Sequence, residues 1–293
     1  MNIRLFSDLA IILMFAKIVE MPIRRLNLNA LPAYVLVVFI ISSNMLNLVE
    51  SLEDLNSIAS FILILLMLYT GLTTNYSEFK QHFKSILTLC TFNYLFTFTL
   101  IYLYMVNTGF NYFESMFIAL LLSNTSMEIV AGLLYRFPDH KIRSIIIGAS
   151  FIDDLFAVIS ISLVLTMGFN QSTPSEPLIL IAKMMILLSI YFTLIELLKH
   201  RLPVFYTFIS RNYYTFVSTA VLTAFLSAYI SRVIGLSEIV GAYLAGLMLS
   251  RGREVHDPLL KTRIVYINFI SEFVTFLDAV FLPLFFTYVG LFY

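Results

Sequence analysis

Ten stretches of this chain are apolar over about the length of a bilayer crossing, and that leaves few folds open to it. A spanning helix needs roughly 20 mostly apolar residues. Residues 5–22, 31–49, 57–73, 85–107, 113–135, 142–168, 177–198, 213–233, 237–250 and 265–291 meet or approach that length. The connections between them are short, and no stretch has the composition of a soluble domain, a low-complexity tract or a long linker. Only 12% of the 293 residues are charged, against about 25% in ordinary soluble domains. The expected fold is an all-α polytopic membrane protein, with residues 1–293 forming one transmembrane domain. The first stretch superficially resembles a signal peptide. Asp8 and Lys17 interrupt it and no small-residue cleavage site follows, so it reads as a retained helix. A net charge of zero gives no basic face for nucleic acid. The single cysteine, Cys90, cannot form a disulfide within the chain.

Basic residues orient the crossings. Cytoplasmic connections are enriched in Lys and Arg, and alternate connections here collect Arg24, Arg25, Lys80, Lys84, Arg136, Lys141, Arg143, Lys199, Arg201, Arg211, Arg251, Arg253, Lys261 and Arg263. The opposite side holds Arg4 and Arg232, in connections that are otherwise acidic or neutral. This pattern places the N-terminus outside, in a membrane expected to be the cell membrane.

Against that apolar background, GASFIDDLFAVIS (148–160) carries two adjacent acids, Asp153 and Asp154. Asp153 lies 11 residues beyond Ile142, about 16 Å along a helix and close to the middle of a ~30 Å hydrocarbon core. An aspartate at that depth costs about 2.5–3.5 kcal/mol on insertion scales. Side chains at adjacent helical positions point about 100° apart, so the two need not share a ligand. Their charges still repel, so a carboxyl there can hold a proton near neutral pH and yield it to a cation. That is the chemistry of proton–cation exchange. The bland reading is a pair of protonated acids hydrogen-bonded within the bundle, but intramembrane acids are functional by default.

SNTSMEIVAGLL (123–134) brings Asn124, Thr125 and Ser126 to the same depth in the fifth span. Amide and hydroxyl oxygens are hard donors suited to Na⁺ or Li⁺, and Ser and Thr also re-satisfy backbone groups where a membrane helix unwinds. Taken alone, ordinary interhelical hydrogen bonding explains them as well. Glu128 and Asp278 are further candidate acids for the same cavity, while Glu196 and Glu272 lie nearer helix ends. The four histidines fall in connections and make no metal constellation.

These residues carry a resemblance. GASFIDDLFAVI resembles the paired-aspartate helix of the monovalent cation:proton antiporter superfamily, the sodium/proton exchangers. In the family's order, FILILLMLYTGL (61–72), LSNTSMEIVAGLL (122–134), LSEIVGAYLAGLMLSR (236–251) and FLPLFFTYVGL (281–291) are similar to further family segments. The resemblance covers about residues 10–293. It implies a broken helix at the Ser/Thr-rich centre of the fifth span, and a core bundle that moves against a dimerisation domain. It implies Asp154 as the principal cation- and proton-binding carboxylate, with Thr125 as the threonine of the break. Asp153 corresponds to its partner, the acid tied to a lysine in exchangers that move net charge. The implied ions are Na⁺ (or Li⁺, K⁺) and H⁺, with a lipid bilayer and a homodimer as partners and no cofactor.

The family's inverted repeat is visible in the matching helix ends MLYTGL and FTYVGL. Spans one to three then correspond to eight to ten, with the seventh a spacer. Counterparts of spans four to six, and the Gly-Lys segment whose lysine would meet Asp153, are not found in this sequence. A last-three-helix deficit is the expectation. It leaves a transport-inactive homologue or fragment, acting as a sensor or assembly subunit, as the alternative to a transporter. An organic-anion symporter of similar fold is disfavoured by the tandem aspartates.

Overall fold

A computed structural model describes residues 3–25, 30, 34, 37, 52–74, 80–134, 137–168, 212–234, 236–250 and 261–292, with scattered positions between 179 and 194. The expected spans 31–49 and 177–198 fall largely outside the described residues. The described residues form α1 (Ile3–Arg25), α2 (Leu52–Thr73), α3 (Phe83–Asn107), α4 (Tyr112–Ser123), α5 (Met127–Leu134), α6 (His140–Gly168), α7 (Tyr213–Ile234), α8 (Glu238–Ser250), α9 (Lys261–Phe276) and α10 (Leu282–Phe292). There is no strand among the described residues. Leu55–Thr73, Phe83–Asn107, Tyr213–Ile234 and Arg263–Tyr288 are each long and apolar enough to cross a membrane.

The centre of the bundle is the pair α2 and α8. Every residue from Val240 to Leu247 is buried, as expected of a helix that is apolar all round. α8 packs chiefly on α2 and α7. Small residues let these backbones touch. A Cβ built on Gly246 would stand 2.3 Å from the Leu68 carbonyl oxygen, and one on Gly71 2.2 Å from that of Tyr243. Gly241 meets α7 in the same way, 2.2 Å from the Ser227 carbonyl oxygen. The Gly-Ala-Tyr-Leu-Ala-Gly run is therefore a crossing device.

The fifth span is two helices, as the resemblance implies. α4 ends at Ser123, and Asn124 is extended, with φ −74° and ψ 137°. Residues 124–126 are not helical. Short polar side chains offer the backbone other partners here. The Ser126 hydroxyl accepts from the Ile129 amide at 3.4 Å, capping α5. At the far end of α4, Asn111 caps the helix by accepting from the Glu114 amide at 2.8 Å. Asn111→Ala is expected to lower stability by about 1 kcal/mol, read as an earlier thermal unfolding midpoint in detergent.

The tenth span, expected over 265–291, contains a π-helical turn at Leu277–Phe281, where the Leu282 amide bonds to the Leu277 carbonyl. Pro283 supplies the reason. It has no amide hydrogen and its ring crowds the carbonyl four residues back, so the preceding turn widens. Asp278 is buried in this turn, 7% exposed.

The rest of the bundle frames the aspartates. α6 packs against α3, α4 and α5, and α3 forms a close pair with α4. α5 in turn packs on α2, which joins this group to the central crossing, while α1 packs on α10.

Candidate cation-binding site

Three elements meet around the paired acids: α6, which carries them, the 124–126 break, and α3. The two carboxylates diverge, as neighbours on a helix must. Asp153 is 2% exposed and turns toward α3. The Cys90 thiol donates to its Oδ1 at 3.0 Å, and Asn93 Nδ2 to its Oδ2 at 3.4 Å. Asp154 is half-buried and turns toward the break, where Asn124 Nδ2 donates to its Oδ1 at 3.2 Å.

Each other candidate has a place. Asn124 Oδ1 is buried with no hydrogen-bond partner among the described residues. Thr125 Oγ1 accepts from Asn93 Nδ2 at 3.1 Å, so one amide touches both the break and a carboxylate. Ser126 serves the α5 cap. The side chain of Glu128, and Glu196 entirely, lie outside the described residues. Asp278 sits in the π turn on a helix that packs against α2 and α7. Glu272 is exposed and takes a hydrogen bond from the Tyr213 hydroxyl. On α1, Lys17 pairs with Glu20 at 2.6 Å, and Asp8 is buried, 3% exposed.

The lysine that the resemblance implies for Asp153 is not found in this sequence. The structure gives Asp153 a thiol and an amide, both uncharged, while Lys183 is exposed. Cys90 and Asn93 were missed as site residues. Their spacing of three puts them on one helix face at the middle of α3, and an amide at that depth in an apolar span was the available signal.

The sodium/hydrogen exchanger transmembrane family profile matches residues 10–292. The chain belongs to the sodium/hydrogen exchanger family. It is a multi-pass membrane protein of that family, and its relatives are ion transporters by name. The probable Na⁺/H⁺ antiporter 3 of Methanocaldococcus jannaschii is 27% identical over 285 residues, spanning 96% of this chain and 70% of the relative. The Na⁺/H⁺ antiporter of Enterococcus hirae is 28% identical over 235 residues, 78% of this chain and 57% of its own length. The solved structure of the sodium proton antiporter MjNhaP1 from Methanocaldococcus jannaschii at pH 8 superimposes with a TM-score of 0.62. It is 17% identical and covers 97% of this chain and 69% of MjNhaP1. At that identity the match establishes a shared fold.

Proposed function

We propose that this protein exchanges Na⁺ (or Li⁺, K⁺) for H⁺ across a membrane, with Asp154 as the carboxylate for which the two ions compete. The observation that carries this reading is Asn124. Its amide nitrogen donates to Asp154 at 3.2 Å, while its own oxygen is buried with no hydrogen-bond partner among the described residues. A buried oxygen in that state is costly unless something pairs with it. Beside a half-exposed carboxylate, the fitting partner is a small hard cation. Asp153, Thr125 and Ser126 complete the oxygen-rich surroundings. The chain runs with its N-terminus outside in the cell membrane, as a homodimer, and its spans form an inverted repeat. The site reaches each side in turn by movement of the core bundle.

The sign of the pH response follows from the competition. Below the pH at which Asp154 gives up its proton, the carboxyl is neutral and the cation is excluded. The Na⁺ concentration for half-maximal exchange therefore rises as pH falls, by about tenfold per pH unit for one proton on one group. The test is Na⁺-dependent dissipation of an imposed pH gradient in proteoliposomes, with the Na⁺ titration repeated at several pH values. Flux that falls with acidity in this way supports antiport. A folded chain that gives no cation-dependent flux overturns it in favour of the transport-inactive alternative. Sodium-coupled uptake of an organic anion overturns it in favour of a symporter.

A further inference from the structure

We infer that Asn93 is a positioning residue of the cation site, and that it acts by tying the helix break to the Asp153 carboxylate. The inference rests on the antiport reading for what the site binds, but its geometry is independent of that reading. One Asn93 amide nitrogen lies 3.1 Å from Thr125 Oγ1 and 3.4 Å from Asp153 Oδ2. No other side chain among the described residues is recorded bridging α3, the break and α6 in this way. Asn93 stands ten residues into α3, about 15 Å from its start, where an exposed amide in hydrocarbon would be unfavourable. The residue is exposed, and its amide nitrogen is engaged by both partners.

The arrangement divides the labour between the two acids. Both oxygens of Asp153 already hold donors, Cys90 on one and Asn93 on the other. Asp153 thereby becomes an anchor for α6 on α3. The Asn93 amide carries the anchoring across to Thr125, in the segment that also holds Asn124. Residues 124–126 are not helical, and although the Ser126 carbonyl accepts from the Val130 amide at 3.1 Å, the placement of Asn124 and Thr125 relative to α6 depends on such side-chain ties. Without Asn93, Thr125 and Asn124 lose the strut that fixes them relative to α6.

The experiment uses the purified full chain, with Na⁺ alone as probe. Binding is read as the half-saturating Na⁺ concentration, obtained from the growth of thermal stabilisation with Na⁺, because a ligand at concentration L bound only by the folded state raises its stability by RT ln(1 + L/Kd). Asn93→Ala is expected to raise that concentration about tenfold. Thr125→Val is expected to do likewise, and the double variant to be within twofold of the worse single, since both remove one linkage. Amide exchange at residues 124–127 is expected to accelerate in Asn93→Ala, with 240–247 of α8 unchanged as proof of an intact fold. An unchanged half-saturating Na⁺ in Asn93→Ala, or single effects that multiply, overturns the inference. If Na⁺ fails to stabilise even the parent chain, the antiport reading falls, and the exchange data decide the positioning role. Unaltered exchange at 124–127 then overturns it, and faster exchange there alone upholds it.

Discussion

Proteoliposomes carrying Asp154→Asn are expected to lose Na⁺-dependent dissipation of a pH gradient by about a hundredfold or more, the scale on which loss of a positioned proton-transfer group is felt. The amide has the size of the carboxyl and keeps an oxygen where Oδ1 stood. The 3.2 Å donation from Asn124 can therefore persist, and the fold is expected to survive. An amide has no proton to exchange near neutral pH and no charge to hold a cation. Both halves of the proposed cycle fail together. Asp153→Asn makes an instructive contrast. Asp153 holds donors from Cys90 and Asn93, and an amide nitrogen placed against either would meet a donor instead of an acceptor. Its defect is expected to include loss of stability, read as a lower unfolding temperature that Asp154→Asn does not share. Normal exchange in Asp154→Asn would remove this residue from the centre of the mechanism.

The second large effect concerns the fold. Gly246→Val is expected to abolish accumulation of folded protein, and Gly246→Ala to lower stability by about 3 kcal/mol or more, at the upper end of overpacking costs. A new Cβ would stand 2.3 Å from the Leu68 carbonyl oxygen and 2.8 Å from the Leu72 amide nitrogen. Both are backbone atoms of α2 that no rotamer change can move aside. Relief requires the two most buried helices to separate, which opens voids along the whole seam. The check is the unfolding midpoint and monodispersity of the Ala variant in detergent. A midpoint equal to the parent's would mean that the crossing has slack.

Much of this architecture was legible because its signals are local. The apolar spans follow from bilayer thickness, and the common depth of Asp153 and Asn124 follows from the helix rise alone. The divergence of Asp153 and Asp154 is likewise a property of any helix. What escaped reading depends on which helices approach one another. Asn93 and Cys90 look like incidental polar positions in an aromatic helix until α3 is set against α6. The partners of Asp153 were illegible for the same reason: they are neutral donors on a neighbouring helix, and no charge in the sequence marks them. The π turn at Leu277–Phe281 was foreshadowed by Pro283, but a proline says only that the helix must adjust, not whether it kinks, ends or widens. Ser126 shows the converse. Its type and depth suit an ion ligand, yet its recorded bond caps a helix.

The glycine crossing also limits how the molecule can move. Surfaces that glide past each other need side chains that can be exchanged one for the next as register changes. Gly71 and Gly246 instead seat backbone on backbone at one register, and a shift of a single turn would drive Leu68 or Thr74 into the notch. α2 and α8 are thus riveted, and any excursion that carries the aspartates must take the rivet along or pivot elsewhere. Because α5 rests on α2, the break beside Asp154 is geared to that backbone-on-backbone crossing, and a displacement of one is passed to the other.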